Sequence, residues 1–203
     1  MTPHEALHLG VDELGLDLPR GAEAQLMRYV ALLAKWNRTY NLTAIREPVE
    51  VVSHHLLDCL AVAAHLPVPE RGALADVGAG AGLPGIPLAI ARPHWQVTLN
   101  DSNQKKVAFL RQAAIELGLA NVAVHAGRVE DWTPEKKFAL VISRAFAGLA
   151  EFTARCAHLV APDGVLAAMM GAAPEAGRCR VIALHVPLLD ARRHLVLCPA
   201  GGI

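Results

Sequence analysis

Apolar residues in the first third of the chain recur at helical spacing. Thr2-Pro3-His4-Glu5 supplies a hydroxyl cap, a proline at the first helical position and a glutamate that can reach back to the cap, so a helix is expected to run to about Leu16. Pro19 to Gly21 breaks it. Leu26, Val30, Leu33 and Trp36 then mark a second amphipathic helix ending near Asn37, and Trp36 to Thr43 reads as a polar connector bearing aromatic residues. Pro48 opens a third helix whose stripe is Val49, Val52, Leu56, Leu60 and Ala63. On it, His54 or His55 lies one turn before Asp58, so the carboxylate can orient an imidazole that faces away from the stripe or form a surface ion pair.

Beyond residue 72 the pattern changes to short apolar runs alternating with helical segments. Ala73 to Val77, Val97 to Leu99, Val122 to His125, Phe138 to Ser143 and Val165 to Met169 read as strands, and Ile86 to Ala91, Gln104 to Leu117 and Leu149 to Leu159 as helices between them. Phe138 to Ser143 is almost continuously apolar, as a central strand buried on both faces should be. Val181 to Val186 and His194 to Leu197 suggest a final antiparallel pair. Alternation of this kind predicts the α/β class, with a doubly wound, mostly parallel, seven-stranded Rossmann-like sheet. Residues 1–68 form a helical extension and 69–203 the sheet domain.

Composition changes this picture little. With 53% apolar residues over 203 positions the chain can fill one sizeable core. Nineteen basic and nineteen acidic residues cancel, so any contact with nucleic acid has to come from a local patch. Cys59, Cys156, Cys179 and Cys198 are scattered without a C-x-x-C pair, which suits free thiols in a reducing compartment better than disulfides or zinc. Neither a secretory leader nor an apolar run long enough to span a membrane is visible, so a soluble cytoplasmic protein is expected. Pro199 to Ile203 shows no pattern and is expected to be mobile.

The densest chemistry lies between the first strand and its helix. Gly78, Gly80, Gly82 and Gly85 remove side chains where the backbone turns and leave N–H groups to approach a ligand at a helix N-terminus. Gly80, Gly82 and Gly85 satisfy G-x-G-x-x-G, whose third glycine lets helix and strand pack closely. Asp76 at the strand end repels a pyrophosphate but can accept from an ammonium group, and Asp76-x-Gly78-x-Gly80-x-Gly82 resembles the first motif of class I S-adenosylmethionine-dependent methyltransferases. Asp101, at the end of the second strand, is the candidate acceptor for ribose hydroxyls. The loop Ala126 to Asp131, with Val129 and Glu130, is placed to flank an adenine. Arg144, at the carboxyl end of a central strand, sits at the lip where open α/β sheets bind ligands. Lys105, Lys106 and Arg111 read as a solvated face.

Four stretches together, Trp36-Asn37-x-x-Tyr40-Asn41-Leu42-Thr43, His55-Leu56-Leu57-Asp58, Asp76 through Pro87, and Ile142-Ser143-Arg144-Ala145-Phe146, resemble the RsmG (GidB) family of bacterial small-subunit ribosomal RNA guanine-N7 methyltransferases. The resemblance covers nearly all of the chain from the second helix onward. It implies transfer of the methyl group of S-adenosylmethionine to N7 of one guanine in 16S rRNA, within the small ribosomal subunit or an assembly intermediate, by a monomer. It further implies that Gly78 and Leu83 contact the cofactor, that Val129 and Glu130 lie on the adenine side, and that Arg144 faces the substrate. Asn37, Asn41, His55 and Asp58 fall on motif positions that close the site or position RNA. The sequence departs from the family at Met170, where members carry a lysine, and in the short connection Ala172 to Arg180.

Guanine N7 carries an in-plane lone pair and no proton, so such an enzyme needs alignment more than a general base. N7 of paired RNA lies in a groove that side chains cannot enter, which favours an unpaired or splayed target. Two other functions use the same residues. One is an NAD-dependent oxidoreductase built on G-x-G-x-x-G, which Asp76 and the lack of a second nucleotide-binding half oppose. The other is a non-catalytic protein that binds an adenosyl ligand or RNA.

Overall fold

A computed structural model describes residues 1–144, 146, 148–175 and 177–201. The expected capping box is present in the first element: in α1 (Pro3–Glu13) Thr2 Oγ1 accepts from the Glu5 amide at 3.2 Å and Glu5 Oε2 accepts from the Thr2 amide at 2.7 Å. Next comes α2 (Ala22–Tyr40), three residues longer than the apolar spacing suggests. Trp36 and Tyr40 stack one turn apart with ring centroids at 5.1 Å, and Asn41, in the left-handed conformation at φ 49°, ends the helix. α3 (Pro48–Val51), a π-helical turn (Val52–Leu57) and α4 (Asp58–Ala61) then form one continuous helical run. A π turn shifts the side chains beyond it around the axis, and this one carries His55.

The sheet follows, with β1 (Ala73–Val77), α5 (Gly85–Ala91), β2 (Gln96–Asp101), α6 (Gln104–Leu117), β3 (Val122–Ala126), β4 (Phe138–Arg144), α7 (Leu149–Cys156), β5 (Val160–Met170), β6 (Arg180–Leu184) and β7 (Arg193–Pro199). Strand order is β3-β2-β1-β4-β5-β7-β6. The first five strands pair in parallel, and β7 runs antiparallel between β5 and β6. From β1 the chain winds outward through β2 and β3, then returns to β4 on the other side of β1, so the crevice of the fold opens at the carboxyl ends of β1 and β4.

Alternation along β1 decides what each residue does. Leu74 joins the core beneath α5, α6 and the N-terminal helices, and Ala75 and Val77 join the core against α7. Asp76, two positions after Leu74, therefore projects toward the first of these cores rather than out of the sheet edge. Buried residues of α1 through α4 lie in that same core with Leu99, Leu110 and Leu140, so the helical extension and the sheet share one interior.

Three expectations are corrected here. Cys179 and Cys198 form a disulfide, while Cys59 and Cys156 are free and buried. Pairing of Arg180 with Leu197 in the final hairpin brings the two cysteines together, and their separation along the chain gives no hint of it. β5 begins at Val160 rather than Val165: Pro162-Asp163-Gly164 is an irregularity inside the strand, where a Cβ on Gly164 would lie 2.9 Å from the Phe138 and Ala139 carbonyls. Pro199 is the last residue of β7, opposite Val165, rather than part of a loose tail; Gly202 and Ile203 lie outside the described residues, as does Ala145 of the Ser-Arg-Ala-Phe strand end. Among the described residues no helix is long and apolar enough to cross a membrane.

Candidate functional site

The glycine turn is pinned by two carboxylates. Asp76 Oδ2 accepts from the Gly85 amide at 2.7 Å, tying β1 to the start of α5, and Asp101 Oδ2 accepts from the Gly80 amide at 2.9 Å, tying the turn to β2. Asp101 Oδ1 accepts from the Asn103 amide at 2.8 Å. Ala79, Gly82 and Leu83 spend their amides on the Asn100 and Ala79 carbonyls. The turn is therefore not the cluster of free N–H donors that its glycines suggest: at least five of its amides are committed inside the protein, and what it offers a ligand is backbone without side chains. Gly78, at φ 68°, has open space where a Cβ would stand. Gly85 is the opposite case, since a Cβ there would overlap the Leu99 side chain and approach Asp76 Oδ2 to 2.8 Å. Tyr29, wholly buried in α2, donates from its hydroxyl to the Ala81 carbonyl at 2.7 Å and so braces the turn from beneath.

Asp76 is fully buried and its Oδ1 has no hydrogen-bond partner. Burial pushes its carboxyl up to about 7, against the Gly85 hydrogen bond that lowers it. Beside the turn lies a cavity of about 230 Å³ lined by Gly78, Asp101, Val129, Glu130, Phe146 and Arg155, among others. Val129 forms part of its buried wall, and Glu130 is held at the rim by Arg155 of α7 at 2.8 Å, with Arg128 at 3.8 Å. Asn100 fixes the loop behind them by donating to the Gly127 carbonyl at 2.9 Å. The Leu83 side chain is packed in the core rather than at this cavity. A larger cavity, about 760 Å³, lies at the amino ends of β1 and β2 between residues such as Glu70, Arg92 and Trp95, on the edge of the sheet opposite the glycine turn.

A second basin opens at the carboxyl ends of β4 and β5, about 340 Å³, lined by Asp58, Arg144, Met169, Met170, Gly171 and Arg193. Arg144 Nη1 donates to the His54 carbonyl and to Asp58 Oδ2, both at 3.3 Å, and stands 3.2 Å from His55 Nδ1. His55 Nδ1 also lies 3.0 Å from the His54 carbonyl, and its Nε2 lies 2.7 Å from Thr43 Oγ1. Burial and the neighbouring Arg144 charge lower His55 to about 4, which keeps the imidazole neutral. Asn37 secures Thr43 with both ends of its amide, donating to the Thr43 carbonyl and accepting from its N–H at 2.9 Å each. Asp58, 3% exposed, is shared: Arg193 Nε lies 3.2 Å from its Oδ1, within ion-pair reach but off line for a hydrogen bond. Burial raises its carboxyl, and the two guanidiniums oppose the rise.

Asn37, His55, Asp58 and Arg144 thus belong to one buried polar chain, and the histidine and aspartate meet through Arg144 instead of forming the surface pair that their spacing allows. Asn41 stands apart, exposed at the end of α2, where its Oδ1 accepts from Arg46 at 3.4 Å. Thr43, Tyr29, Arg155 and Arg193 are members of the site that the sequence reading does not single out. Thr43 lies within the quoted motif; Arg193 opens β7 with no local signal, and only the strand order brings it to the basin.

The family described as rRNA small subunit methyltransferase G (GidB) matches residues 22–178. The chain belongs to that family. It is 51% identical over 203 residues to the ribosomal RNA small subunit methyltransferase G of Methylobacillus flagellatus, covering 97% of this chain and 98% of that protein, and 50% identical to that of Chromobacterium violaceum at the same coverage. Among solved structures, a SAM-dependent methyltransferase from Aquifex aeolicus superposes with a TM-score of 0.56 at 17% identity, over 73% of this chain and 91% of that one. A predicted O-methyltransferase from Agrobacterium tumefaciens gives 0.55 at 22% identity, over 70% and 79%. The fold is that of class I methyltransferases, and the cofactor is S-adenosylmethionine. The residues suit that group: bare backbone at Gly78, a carboxylate at the β2 end, and an unpartnered buried oxygen on Asp76 behind the turn.

Proposed function

We propose that this S-adenosylmethionine-dependent methyltransferase methylates N7 of a single guanine in 16S rRNA, working as a cytoplasmic monomer on the small subunit or an assembly intermediate. The observation that carries the reading is the glycine turn pinned between Asp76 and Asp101 beside an open cavity, in a chain of this family. S-adenosylmethionine supplies an electrophilic methyl group on sulfonium. Gly78 leaves room for the methionyl part, Asp101 receives ribose hydroxyls, and Val129 and Glu130 flank the adenine. Asp76 Oδ1 is the acceptor for the cofactor's ammonium, through water because the carboxylate is fully buried.

The substrate side is consistent with a nucleophile that needs no deprotonation. His55 touches Arg144 of the basin, yet both its ring nitrogens are engaged, with Arg144 and with Thr43, and it stays neutral down to about pH 4. Asp58 is occupied by two guanidiniums. These groups can orient a guanine; they are not free to take a proton from it. Arg144 and Arg193 at the basin's rim supply positive charge for an RNA phosphate or for O6, and Met169 and Met170 supply apolar surface for a base. The test is to incubate small subunits lacking the modification with enzyme and S-adenosylmethionine and to map the RNA by mass spectrometry. One 7-methylguanosine is expected. A methyl group on an exocyclic amine, on carbon or on ribose would contradict the proposal.

A further inference from the structure

The chain is neutral overall, but its charge is not evenly spread near the site. From Lys35 to Arg46 there are three cations, Lys35, Arg38 and Arg46, and no carboxylate; from Gln104 to Ile115 there are again three, Lys105, Lys106 and Arg111, and no carboxylate. These two stretches pack together. Trp36 of α2 meets Phe109 of α6 edge to face with ring centroids at 5.6 Å, and Tyr40, 40% exposed, stacks on Trp36. Among the described residues none of the six cations has a carboxylate within 4.0 Å, whereas Arg128, Arg144, Arg155 and Arg193 in the site itself all do.

Both stretches reach the same rim as the cofactor turn. α6 starts directly after Asp101, and Lys106 Nζ lies 3.9 Å from where a Cβ on Gly80 would stand. α2 ends at Tyr40, and Thr43 just beyond it holds His55 and through it Arg144. An exposed tyrosine backed by a half-buried tryptophan and set among cations with no competing anion is the chemistry that holds unpaired nucleic acid: the ring stacks on a base and the cations replace phosphate counterions.

We propose that this α2–α6 face, with Tyr40 on Trp36 as stacking platform and Lys35, Lys105 and Lys106 around it, is the docking surface for single-stranded RNA flanking the target nucleotide. It rests on the RNA-methylating function proposed above and adds where the RNA lies. The face explains how a protein without net charge holds a polyanion, and it gives a role to cations that the cofactor site does not use.

The experiment compares three proteins: the wild type, Lys35→Gln/Lys105→Gln, and a control, Lys136→Gln/Lys137→Gln, whose cations lie before β4 at the amino ends of the strands. Binding of a fluorescein-labelled single-stranded RNA of the target loop is followed by anisotropy across a salt series, with S-adenosylhomocysteine affinity measured in parallel by calorimetry. For the face variant the slope of log K against log salt should fall by about 1.4, at about 0.7 per phosphate contact, with cofactor affinity and the control unchanged. Tyr40→Ala should weaken RNA binding by roughly five- to a hundredfold without altering the salt slope, as loss of one stacked base does. If the wild type methylates RNA but the face variant keeps its affinity and slope, the docking surface is wrong and the function stands. If the wild type binds the cofactor yet neither binds the RNA nor methylates small subunits, the function falls and the surface with it.

Discussion

Asp76→Asn should make the protein more stable and its cofactor binding weaker. Asp76 is fully buried, accepts one hydrogen bond and leaves Oδ1 without a partner. Its carboxyl is raised from 3.8 to about 7, mainly by burial. A carboxyl raised on folding contributes stability that is fully present below its unfolded value and is lost as pH rises through its folded value. Between pH 4 and pH 7 the folded chain therefore holds a proton that the unfolded chain has released, and above pH 7 the buried charge costs on the order of 4 kcal/mol, from about three pH units at about 1.4 each. Asparagine keeps the oxygen that accepts from Gly85 and removes the charge, but its amide N–H is left buried without an acceptor, at a cost of about 1–2 kcal/mol. The net gain at pH 8 should be about 2–3 kcal/mol, falling to near zero at pH 5, where the wild type is already protonated. Urea unfolding of both proteins at the two pH values measures this. The change in the gain between pH 5 and pH 8, about 3 kcal/mol, does not depend on the amide penalty. A gain equal at both pH values, or a loss at pH 8, would refute the reasoning. Calorimetry at pH 8 should show weaker S-adenosylmethionine binding, because the acceptor for its ammonium is gone.

Gly85→Ala should destabilise the fold by about 1–3 kcal/mol through overlap with Leu99 and Asp76, and an unchanged urea midpoint would contradict the close packing. Asp58→Asn removes the charge that Arg144 and Arg193 share; if adding Arg193→Gln to it costs as much stability as Arg193→Gln alone in the wild type, the two residues are uncoupled and the shared pair is wrong. His55 is lowered to about 4, so its contribution to stability is present above 6.5 and lost as pH falls toward 4; methyl transfer should be flat from pH 6 to pH 8, and a rate step at the ordinary histidine pKa would show an imidazole acting as a base.

Much of this architecture was legible in the residues. Strand and helix periodicities placed all seven strands and the final antiparallel pair, and α6 was bounded correctly because Asn103 caps it and Gly118, at φ 66°, stops it. Local signals of that kind carry their own evidence in adjacent residues. What was not legible depends on long-range placement. Nothing near Cys179 announces Cys198, since the hairpin register joins them. Arg193 meets Asp58 across 135 positions of sequence, and only the insertion of β7 beside β5 makes that possible. Asn37 and His55 stand out in the sequence as motif positions and Thr43 does not, and the arrangement of the three as a relay holding Arg144 follows from the end of α2 and the π turn at His55, neither of which the apolar spacing contains. The glycines announce bare backbone at the turn but not that its amides are spent, because the acceptors that consume those amides come from β1, β2 and the turn itself.

The most direct test is a crystal structure of the protein with S-adenosylhomocysteine. The account predicts the ligand across the glycine turn, with its ribose at Asp101, its adenine between Val129 and Glu130 and its sulfur directed toward the basin of Arg144. Adenosine density at the opposite edge of the sheet, or a ligand whose sulfur points away from Arg144, would contradict it.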